Sequence, residues 1–351
     1  MGDYTRRLAI EIIKQGHKAS IVAINDQYCN LPKSGLQNEN ECTVEVYRIP
    51  QSFSNKKRFQ LIHTWIKDKK PDWFSLQFVL YAFHAKGLPF YLGENLKRFN
   101  NGVKWHIMFH EIWIGLEANE KHKNQLIGGF QKRIIKRLLK QLSPKILHTQ
   151  LELYKRELSY LGYKSKLLNL PSNIPFTTKK AIKKKTDSLS LVVFGSIYPG
   201  APINEFAKDI SFYKKSTGKN VNITLIGRNG NEQKNWIDTL NLYNIPVTVL
   251  GEQSSTSISN TLHNSTIGII TTPLYLLEKS GTAAAMRLHN LPIIIVSKEW
   301  KPKRNFNLEI PEDVLIFKSN NFGDYIKLKD KNYNKHSINT IASTFLKSLS
   351  E

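Results

Sequence analysis

Short apolar strands alternate with amphipathic helices along this chain, and the alternation occurs twice. In the first half the strands are KASIVAIN, CTVEVYRI, DWFSLQF, KWHIMFH and KILHT. In the second half they are LSLVVFGS, VNITLIG, PVTVLG, IGIITT and PIIIVS, again separated by helical periodicity. Strands that alternate with helices pair in parallel through right-handed crossovers. The pattern predicts an α/β chain of two doubly wound, Rossmann-like domains that face each other across a cleft.

The segment PFTTKKAIKKKTDS separates the two halves, because it loses the hydrophobic periodicity and collects basic residues as linkers do. A chain of 351 residues also suits two domains of roughly 150 to 200 residues each. We predict an N-terminal domain over 1–175, a linker over 176–188, a C-terminal domain over 189–333 and a terminal helix over 334–351.

The first domain opens on a helix, MGDYTRRLAIEIIK, rather than on a strand. A doubly wound domain begins with a central strand that leads through a glycine-rich loop into its first helix. We therefore expect that strand to be missing from the N-terminus, either because the start codon is misassigned or because the gene is truncated. Gly2 would then be the end of the glycine loop.

The composition limits the class of protein. A net charge of +23 attracts nucleic acid, anionic lipid or phosphorylated ligands. No basic and aromatic strand platform is visible, so no nucleic-acid partner is expected. No run of roughly 18 to 20 apolar residues could span a bilayer, and no leader pattern is visible. Two cysteines, Cys29 and Cys42, are too few for a disulfide scaffold or a zinc site, so we expect a cytoplasmic protein, soluble or peripheral to the inner membrane.

The helix predicted over 121–142 is basic and amphipathic. Its basic side chains are Lys132, Arg133, Lys136, Arg137 and Lys140, and its apolar side chains are Ile134, Ile135, Leu138 and Leu139. Two interpretations remain open. The basic face could rest on an anionic membrane surface, or it could be the solvated side of a packed helix.

Several stretches resemble the GT-B glycosyltransferases, specifically those of family 4. They are GDYTRRLAIEIIKQGH, LQFVLYAFHAKGLPF, MFHEIWIG, LPSNIP, VVFGSIYPG, LIGRNG and EKSGTAAAMRLHNLPIII, which together extend over nearly the whole chain. The resemblance implies a hexosyl transfer, with retention, from a nucleotide-sugar to the hydroxyl group of a glycan or lipid-linked acceptor. It also implies cell-surface polysaccharide or glycolipid synthesis. Such enzymes generally work without a metal or other cofactor, because protein cations and helix ends take the leaving-group charge.

The helix start Ser280-Gly281-Thr282 is the candidate donor site. A helix N-terminus offers free N–H groups and a positive dipole end to a diphosphate, and a glycine allows close approach to the backbone. The alternative is an ordinary N-cap of a core helix.

The resemblance implies further donor contacts. Glu278 takes the place of a carboxylate near the sugar and is assigned a catalytic role, whereas the second carboxylate expected on this helix is replaced by Ala285. A glutamate at position 285 is expected to be tolerated or even to tighten nucleotide binding. The turn at Gly195 also lacks the usual Arg and Lys. Two interpretations of Arg228 and Lys279 remain open: they partly substitute for the missing cations, or each is a surface charge.

His110 ends the predicted strand KWHIMFH, so its side chain is expected at the carboxyl edge of the first sheet. The resemblance implies a catalytic role in binding the sugar or stabilising the transition state, with Glu111 and His84 on the acceptor side. A purely structural histidine is the alternative. Because position 285 lacks its carboxylate, a catalytically inactive nucleotide- or carbohydrate-binding module on the same fold also remains open.

Overall fold

The computed structural model describes residues 2–39, 42–177, 188–328 and 336–351. The chain divides into two compact units. The N-terminal unit comprises residues 1–169, 302–305 and 338–351, and the C-terminal unit comprises residues 170–301 and 306–337. Ten of the residues predicted as a linker, 178–187, lie outside the described residues.

The N-terminal unit contains seven strands and six helices among the described residues up to 169. The strands are β1 (Ser20–Asp26), β2 (Lys33–Glu39), β3 (Cys42–Pro50), β4 (Trp73–Phe78), β5 (Lys104–Phe109), β6 (Ile146–Thr149) and β7 (Lys166–Leu167). The helices are α1 (Gly2–Lys14), α2 (Asn55–Lys67), α3 (Leu80–Phe83), α4 (Leu92–Lys97), α5 (His122–Leu142) and α6 (Glu152–Ser159).

These strands form two sheets. One has the order β1-β3-β2, with β1 parallel and β2 antiparallel to β3. The other has the order β4-β5-β6-β7 and is parallel throughout. In the part of the chain that the structure describes, β1 and β4 therefore each have one unpaired edge. The additional strand expected before the first helix stays a prediction.

The C-terminal unit is a six-stranded parallel sheet flanked by helices. Its strands are β8 (Ser188–Phe194), β9 (Asn220–Ile226), β10 (Val247–Gly251), β11 (Ile267–Ile270), β12 (Ile293–Ile295) and β13 (Val314–Ile316), in the order β10-β9-β8-β11-β12-β13. Its α-helices are α7 (Ile203–Thr217), α8 (Gln233–Leu242), α9 (Ser255–Asn264) and α10 (Gly281–Leu288), and two 3-10 helices span Leu274–Lys279 and Phe322–Lys327. The predicted α/β class is confirmed.

Both faces of this sheet are buried, which explains why its central strands are almost continuously apolar. Alternate residues of β8 face opposite ways. Leu191 and Val193 pack on one side with the fully buried Trp236, and Val192 packs on the other side with Met286. Burying a side chain of this size stabilises the fold by about 1.5 to 3 kcal/mol.

The terminal helix α11 (Ile338–Ser350) belongs to the N-terminal unit. Its Ile341 and Phe345 form a buried cluster with Met108 of β5 and Leu168. The C-terminal helix therefore packs in the N-terminal unit and contributes to its core. No helix among the described residues is both long and apolar enough to cross a membrane.

Candidate functional site

Two glycine-containing loops lie at the carboxyl edge of the C-terminal sheet. Gly195 follows β8 with φ +78°, and Gly227 follows β9 with φ +88°. Both values lie in the left-handed region that favours glycine. The Gly195 N–H donates to Ile226 O at 2.9 Å, and the Asn229 side chain donates to Gly195 O at 2.7 Å. These bonds hold the two loops together at a position where parallel α/β sheets bind ligands.

Helix α10 begins beside these loops. Ser280 is its N-cap, and its Oγ accepts a hydrogen bond from the Ala283 N–H at 3.3 Å. Helix geometry leaves the N–H groups of Gly281 and Thr282 without an intrahelical acceptor. A Cβ atom on Gly195 would lie 3.0 Å from Thr282 Oγ1, whereas one on Gly281 would meet nothing within 4 Å. The first turn of α10 thus contacts Gly195 and has open space at Gly281.

The structure therefore brings four predicted donor-binding residues together: Gly195, Ser280, Gly281 and Thr282. Unpaired N–H groups at the positive end of a helix suit an anion such as a phosphate. The aliphatic chain of Lys298, after β12, lies against the loop that follows β8, since a Cβ atom on Gly200 would be 3.5 Å from Lys298 Cδ. This lysine was not predicted, because its proximity to the loop comes from strand order and not from a sequence motif.

Glu278 lies near the end of the first 3-10 helix, two residues before the N-cap of α10. Its Oε1 accepts from Arg287 Nη1 at 2.6 Å. Arg287 is 1% exposed and also donates from Nε to Asp313 Oδ2 at 2.7 Å. The side chain of Glu278 remains 32% exposed, so its carboxylate is positioned by a buried arginine but not enclosed. Neither Arg287 nor Asp313 was predicted, because nothing in the local sequence pairs them.

The two predicted substitute cations have different surroundings. Arg228 follows Gly227, is 82% exposed, and pairs with Glu252 Oε2 at 2.8 Å. Its guanidinium is therefore a surface charge that already has a carboxylate partner. Lys279 is the last residue of the 3-10 helix and immediately precedes Ser280.

The expectation for position 285 is wrong. Ala285 is completely buried in the apolar cluster between α10 and the C-terminal sheet. A glutamate at this position would bury a charge among apolar side chains, which destabilises a fold strongly unless a partner is present. Ala285→Glu should therefore unfold the unit and not strengthen nucleotide binding.

In the N-terminal unit, His110 follows β5 in a row of polar side chains. Its Nε2 bonds Gln77 Oε1 at 2.9 Å, and its Nδ1 bonds Gln150 Nε2 at 3.0 Å. The side-chain nitrogen of Gln150 can only donate, so His110 accepts at Nδ1 and donates from Nε2 to Gln77 Oε1. Burial lowers the pKa of His110 to about 4, which keeps the imidazole neutral. The Tyr4 ring packs edge-on against it, with centroids 4.7 Å apart.

A second polar row crosses the same strands and was not predicted. His106 Nδ1 bonds Ser75 Oγ at 2.8 Å, and its Nε2 bonds His148 Nδ1 at 3.0 Å. Both histidines are fully buried, with Phe345 of α11 edge-on to His106. Burial lowers the pKa of His106 well below its usual range and that of His148 to about 4. The signal in the sequence was the alternation of KWHIMFH and KILHTQ, which places both rows on one sheet face.

The remaining predicted residues also lie in the N-terminal unit. Gly2 opens α1, and Glu111 is half-buried just after His110. His84 ends α3 and is exposed, and its Nδ1 accepts from the Leu88 N–H at 3.3 Å. His84 lies on the wall of a cavity of about 530 Å³.

The amphipathic character predicted for the basic helix is confirmed in α5. All four predicted apolar residues are buried, and four of the five basic ones are exposed, Lys132 being half-buried. Two of the basic side chains contact other parts of the protein. Arg137 pairs with Glu94 at 2.7 Å, and Lys132 Nζ lies 5.1 Å from the Trp113 ring centroid. Leu126 and Phe130, about two turns and one turn before Ile134, are 69% and 46% exposed.

Known structures share this fold. The Anabaena protein Alr3699/HepE, solved with UDP and glucose, is 12% identical with a TM-score of 0.53 over 88% of this chain and 86% of that one. A Listeria monocytogenes protein provisionally named a UDP-N-acetylglucosamine 2-epimerase is 9% identical with a TM-score of 0.55, over 99% and 92%. A UDP-forming α,α-trehalose-phosphate synthase from Burkholderia xenovorans is 10% identical with a TM-score of 0.50, over 92% and 91%.

These likenesses show that the chain has the GT-B fold, as the sequence predicts. No family model matches the chain, and no curated protein matches it. At identities of 9–12% the likeness extends to the fold alone.

Proposed function

We propose that this protein is a glycosyltransferase that transfers a sugar from a UDP-sugar to a hydroxyl group. The observation that carries the proposal is the start of α10, where open backbone N–H groups lie beside Gly195 at the carboxyl edge of a parallel sheet. Support for uridine diphosphate comes from the names of three proteins with the same fold, each of which contains UDP.

In the proposed reaction the bond between the anomeric carbon and the UDP oxygen breaks, and the acceptor oxygen forms the new bond to that carbon. The acceptor proton leaves with the diphosphate. The N–H groups of Gly281 and Thr282 and the Ser280 cap hold the diphosphate, and the helix dipole stabilises the charge that develops on it. Lys298 supplies a further positive charge. This set of groups performs the role that a metal ion would otherwise take, so no cofactor is proposed.

Glu278 is proposed to bind hydroxyl groups of the donor sugar. Its pairing with the buried Arg287 fixes the carboxylate while leaving about a third of the side chain accessible. Retention of the anomeric configuration, as in family 4, belongs to this proposal. So does a site of action in cell-surface polysaccharide or glycolipid synthesis at the cytoplasmic side of a membrane.

His110 is proposed to bind the reacting sugar as a neutral imidazole. With its lowered pKa it does not act as a cation near neutral pH. Because both ring nitrogens are bonded to glutamine side chains, a sugar hydroxyl must replace one of these bonds. His110→Ala therefore removes a group that the sugar would use, whereas His110→Gln keeps one donor and one acceptor.

The direct test is release of UDP from a panel of UDP-sugars, with and without a mixture of glycan and phosphorylated sugar acceptors. The proposal expects UDP release that depends on the acceptor, and a product heavier than the acceptor by one sugar residue. Turnover of a UDP-sugar without UDP release would instead indicate an epimerase, a function named for one protein of this fold.

A second candidate function is a nucleotide- or carbohydrate-binding module without catalysis. The fully buried Ala285 favours it, because α10 offers no carboxylate there for a ribose. The same experiment separates the two, since a binding module would bind UDP but release none from any UDP-sugar.

A further inference from the structure

The cavity of about 530 Å³ in the N-terminal unit has a wall with both apolar and polar side chains. It lies at the carboxyl ends of β1 and β3, where α2 begins and α3 ends. Its apolar part includes Phe83, Leu88 and Phe90, and its polar part includes Asn25, Asn55 and Arg58. A volume of this size is in the range of small-molecule sites.

Arg58 is the feature that calls for an explanation. It is only 6% exposed, although it carries a permanent charge. Its guanidinium donates to the side-chain oxygens of Asn25 and Asn55 and to Ile24 O, all of which are neutral acceptors. Its Nε is buried and has no hydrogen-bond partner. No ion pair among the described residues involves Arg58, and the cavity wall contains no carboxylate.

A buried cation without an anion is costly, and proteins ordinarily pair such a group. Arg287 in the C-terminal unit shows the usual arrangement, with two carboxylates around it. Arg58 differs in that its neutral partners orient it on the wall of an open cavity. Asn25 is itself fixed, since its Nδ2 donates to Ala82 O at 2.9 Å. The Tyr91 ring also lies under the guanidinium, with its centroid 5.9 Å from Arg58 Cζ. The guanidinium is therefore held in place by neutral groups and has no carboxylate partner among the described residues.

We propose that this cavity binds a phosphate group, with Arg58 as its counter-ion. A planar guanidinium is the side chain best suited to bind phosphate oxygens. The remaining wall suits a sugar, because Asn55 and the exposed His84 offer hydrogen bonds and Phe90, 55% exposed, offers an apolar surface for a ring. The ligand class is thus a sugar phosphate or the phosphate of a lipid carrier.

The conclusion that the phosphorylated ligand is the acceptor rests on the proposed glycosyl transfer. The conclusion that the cavity binds phosphate does not. It assigns a phosphorylated acceptor to the N-terminal unit and UDP to the C-terminal unit. The two can therefore be measured separately on one protein.

The test is calorimetric titration of glucose 6-phosphate, and separately of UDP, into the full chain and four variants. Ala85 is exposed on the cavity wall, so Ala85→Glu adds a carboxylate there and Ala85→Gln is its neutral match. Arg58→Ala removes the counter-ion. Lys57→Ala removes a neighbouring exposed charge that lies over Phe53 and outside the cavity wall.

We expect glucose 6-phosphate to bind the parent, Ala85→Gln and Lys57→Ala alike. Binding should weaken at least about tenfold in Ala85→Glu and Arg58→Ala, with UDP affinity unchanged. Since Arg58→Ala could fail to fold, the Ala85 pair carries the test by itself. If glucose 6-phosphate binds Ala85→Glu and Ala85→Gln with equal affinity, the inference is overturned, whereas failure of UDP alone to bind would overturn only the proposed function.

A second arm identifies the source of the phosphate. Vesicles containing phosphatidic acid are sedimented with the same variants. Binding to vesicles that Ala85→Glu abolishes and Ala85→Gln retains, without binding of glucose 6-phosphate, supports the cavity and assigns it to a lipid phosphate. If neither probe binds in a way that depends on Ala85, the cavity is not a phosphate site.

Discussion

At the residue scale, the two buried arginines Arg58 and Arg287 differ in their partners, because Arg58 contacts neutral groups and Arg287 contacts carboxylates. Arg287 is neutralised by Glu278 and Asp313, and Asp313 is only 2% exposed. Removing the arginine would leave a carboxylate buried without a partner. Arg287 therefore holds the candidate sugar-binding carboxylate in place and is also part of what keeps the C-terminal unit folded.

We predict that Arg287→Met destabilises the protein by about 3 to 5 kcal/mol, the usual cost of leaving one member of a buried ion pair alone. Urea unfolding followed by circular dichroism measures this. The control is Arg228→Met, which removes an exposed arginine from its pair with Glu252 and should leave the transition midpoint in place. Equal midpoints for the Arg287 variant and the parent would contradict the role of this cluster.

The buried histidine pair predicts a dependence of stability on pH. Because burial lowers the pKa values of His106 and His148, the folded state binds fewer protons than the unfolded state as the pH falls below about 6.5. Stability is fully present above that pH and is lost towards pH 4, by about 1.4 kcal/mol per pH unit for each histidine.

The measurement is the free energy of unfolding at several pH values between 7 and about 4, since the pKa of His148 falls to about 4. His148→Gln keeps a side chain that can bond His106 but removes one titrating group. Its profile should be shallower than that of the parent. Parallel profiles of the variant and the parent would contradict this, because they would mean that the pKa of His148 is the same in the folded and unfolded protein.

At the element scale, α5 carries the membrane hypothesis. Lys136 and Lys140 are exposed and separate from the Arg137–Glu94 pair, and Leu126 and Phe130 expose apolar surface on the same helix. We predict that Lys136→Glu with Lys140→Glu weakens binding to anionic vesicles, since each basic residue near the surface contributes about 1 kcal/mol.

Vesicle sedimentation measures this binding, and the matched control is Lys208→Glu with Lys215→Glu on α7. Both lysines are exposed, so this control has the same net charge as the test variant. If the two double variants bind vesicles equally, vesicle binding depends on net charge alone. The basic face of α5 is then only the solvated side of a packed helix.

The elements that sequence reasoning predicted are those with strong periodicity, such as β8, β9 and α5. Strand β2 was missed because KSGLQNE is polar, and only its antiparallel pairing with β3 defines it. Strand β13 was missed because its apolar run, VLIF, is short, whereas the equally short β12 lies in the longer run LPIIIV. The helix start at Ser280 was predictable because its capping chemistry is local, whereas Ala285 was misjudged because its burial depends on the sheet beneath α10.

At the scale of the whole molecule, the C-terminal unit has one doubly wound sheet, whereas the strands of the N-terminal unit form two sheets. The return of α11 to the N-terminal unit could not be predicted from periodicity. Contacts between positions far apart in the chain, such as Phe345 with His106, arise only in the folded chain. The same holds for Arg58, whose neutral surroundings come from β1 and α2 together. Most features of the candidate sites that the sequence did not predict therefore depend on long-range contacts and not on local sequence patterns.

The central claim is that UDP binds at the first turn of α10, and titration of UDP into Gly281→Val tests it most directly. Valine fits the folded protein, because a Cβ atom at Gly281 meets nothing within 4 Å, but it fills the space that phosphate oxygens would need. Gly35→Val, at an equally open position on β2, is the control. We predict that the parent and the control bind UDP and that folded Gly281→Val does not. Equal UDP affinity in all three proteins would contradict the account.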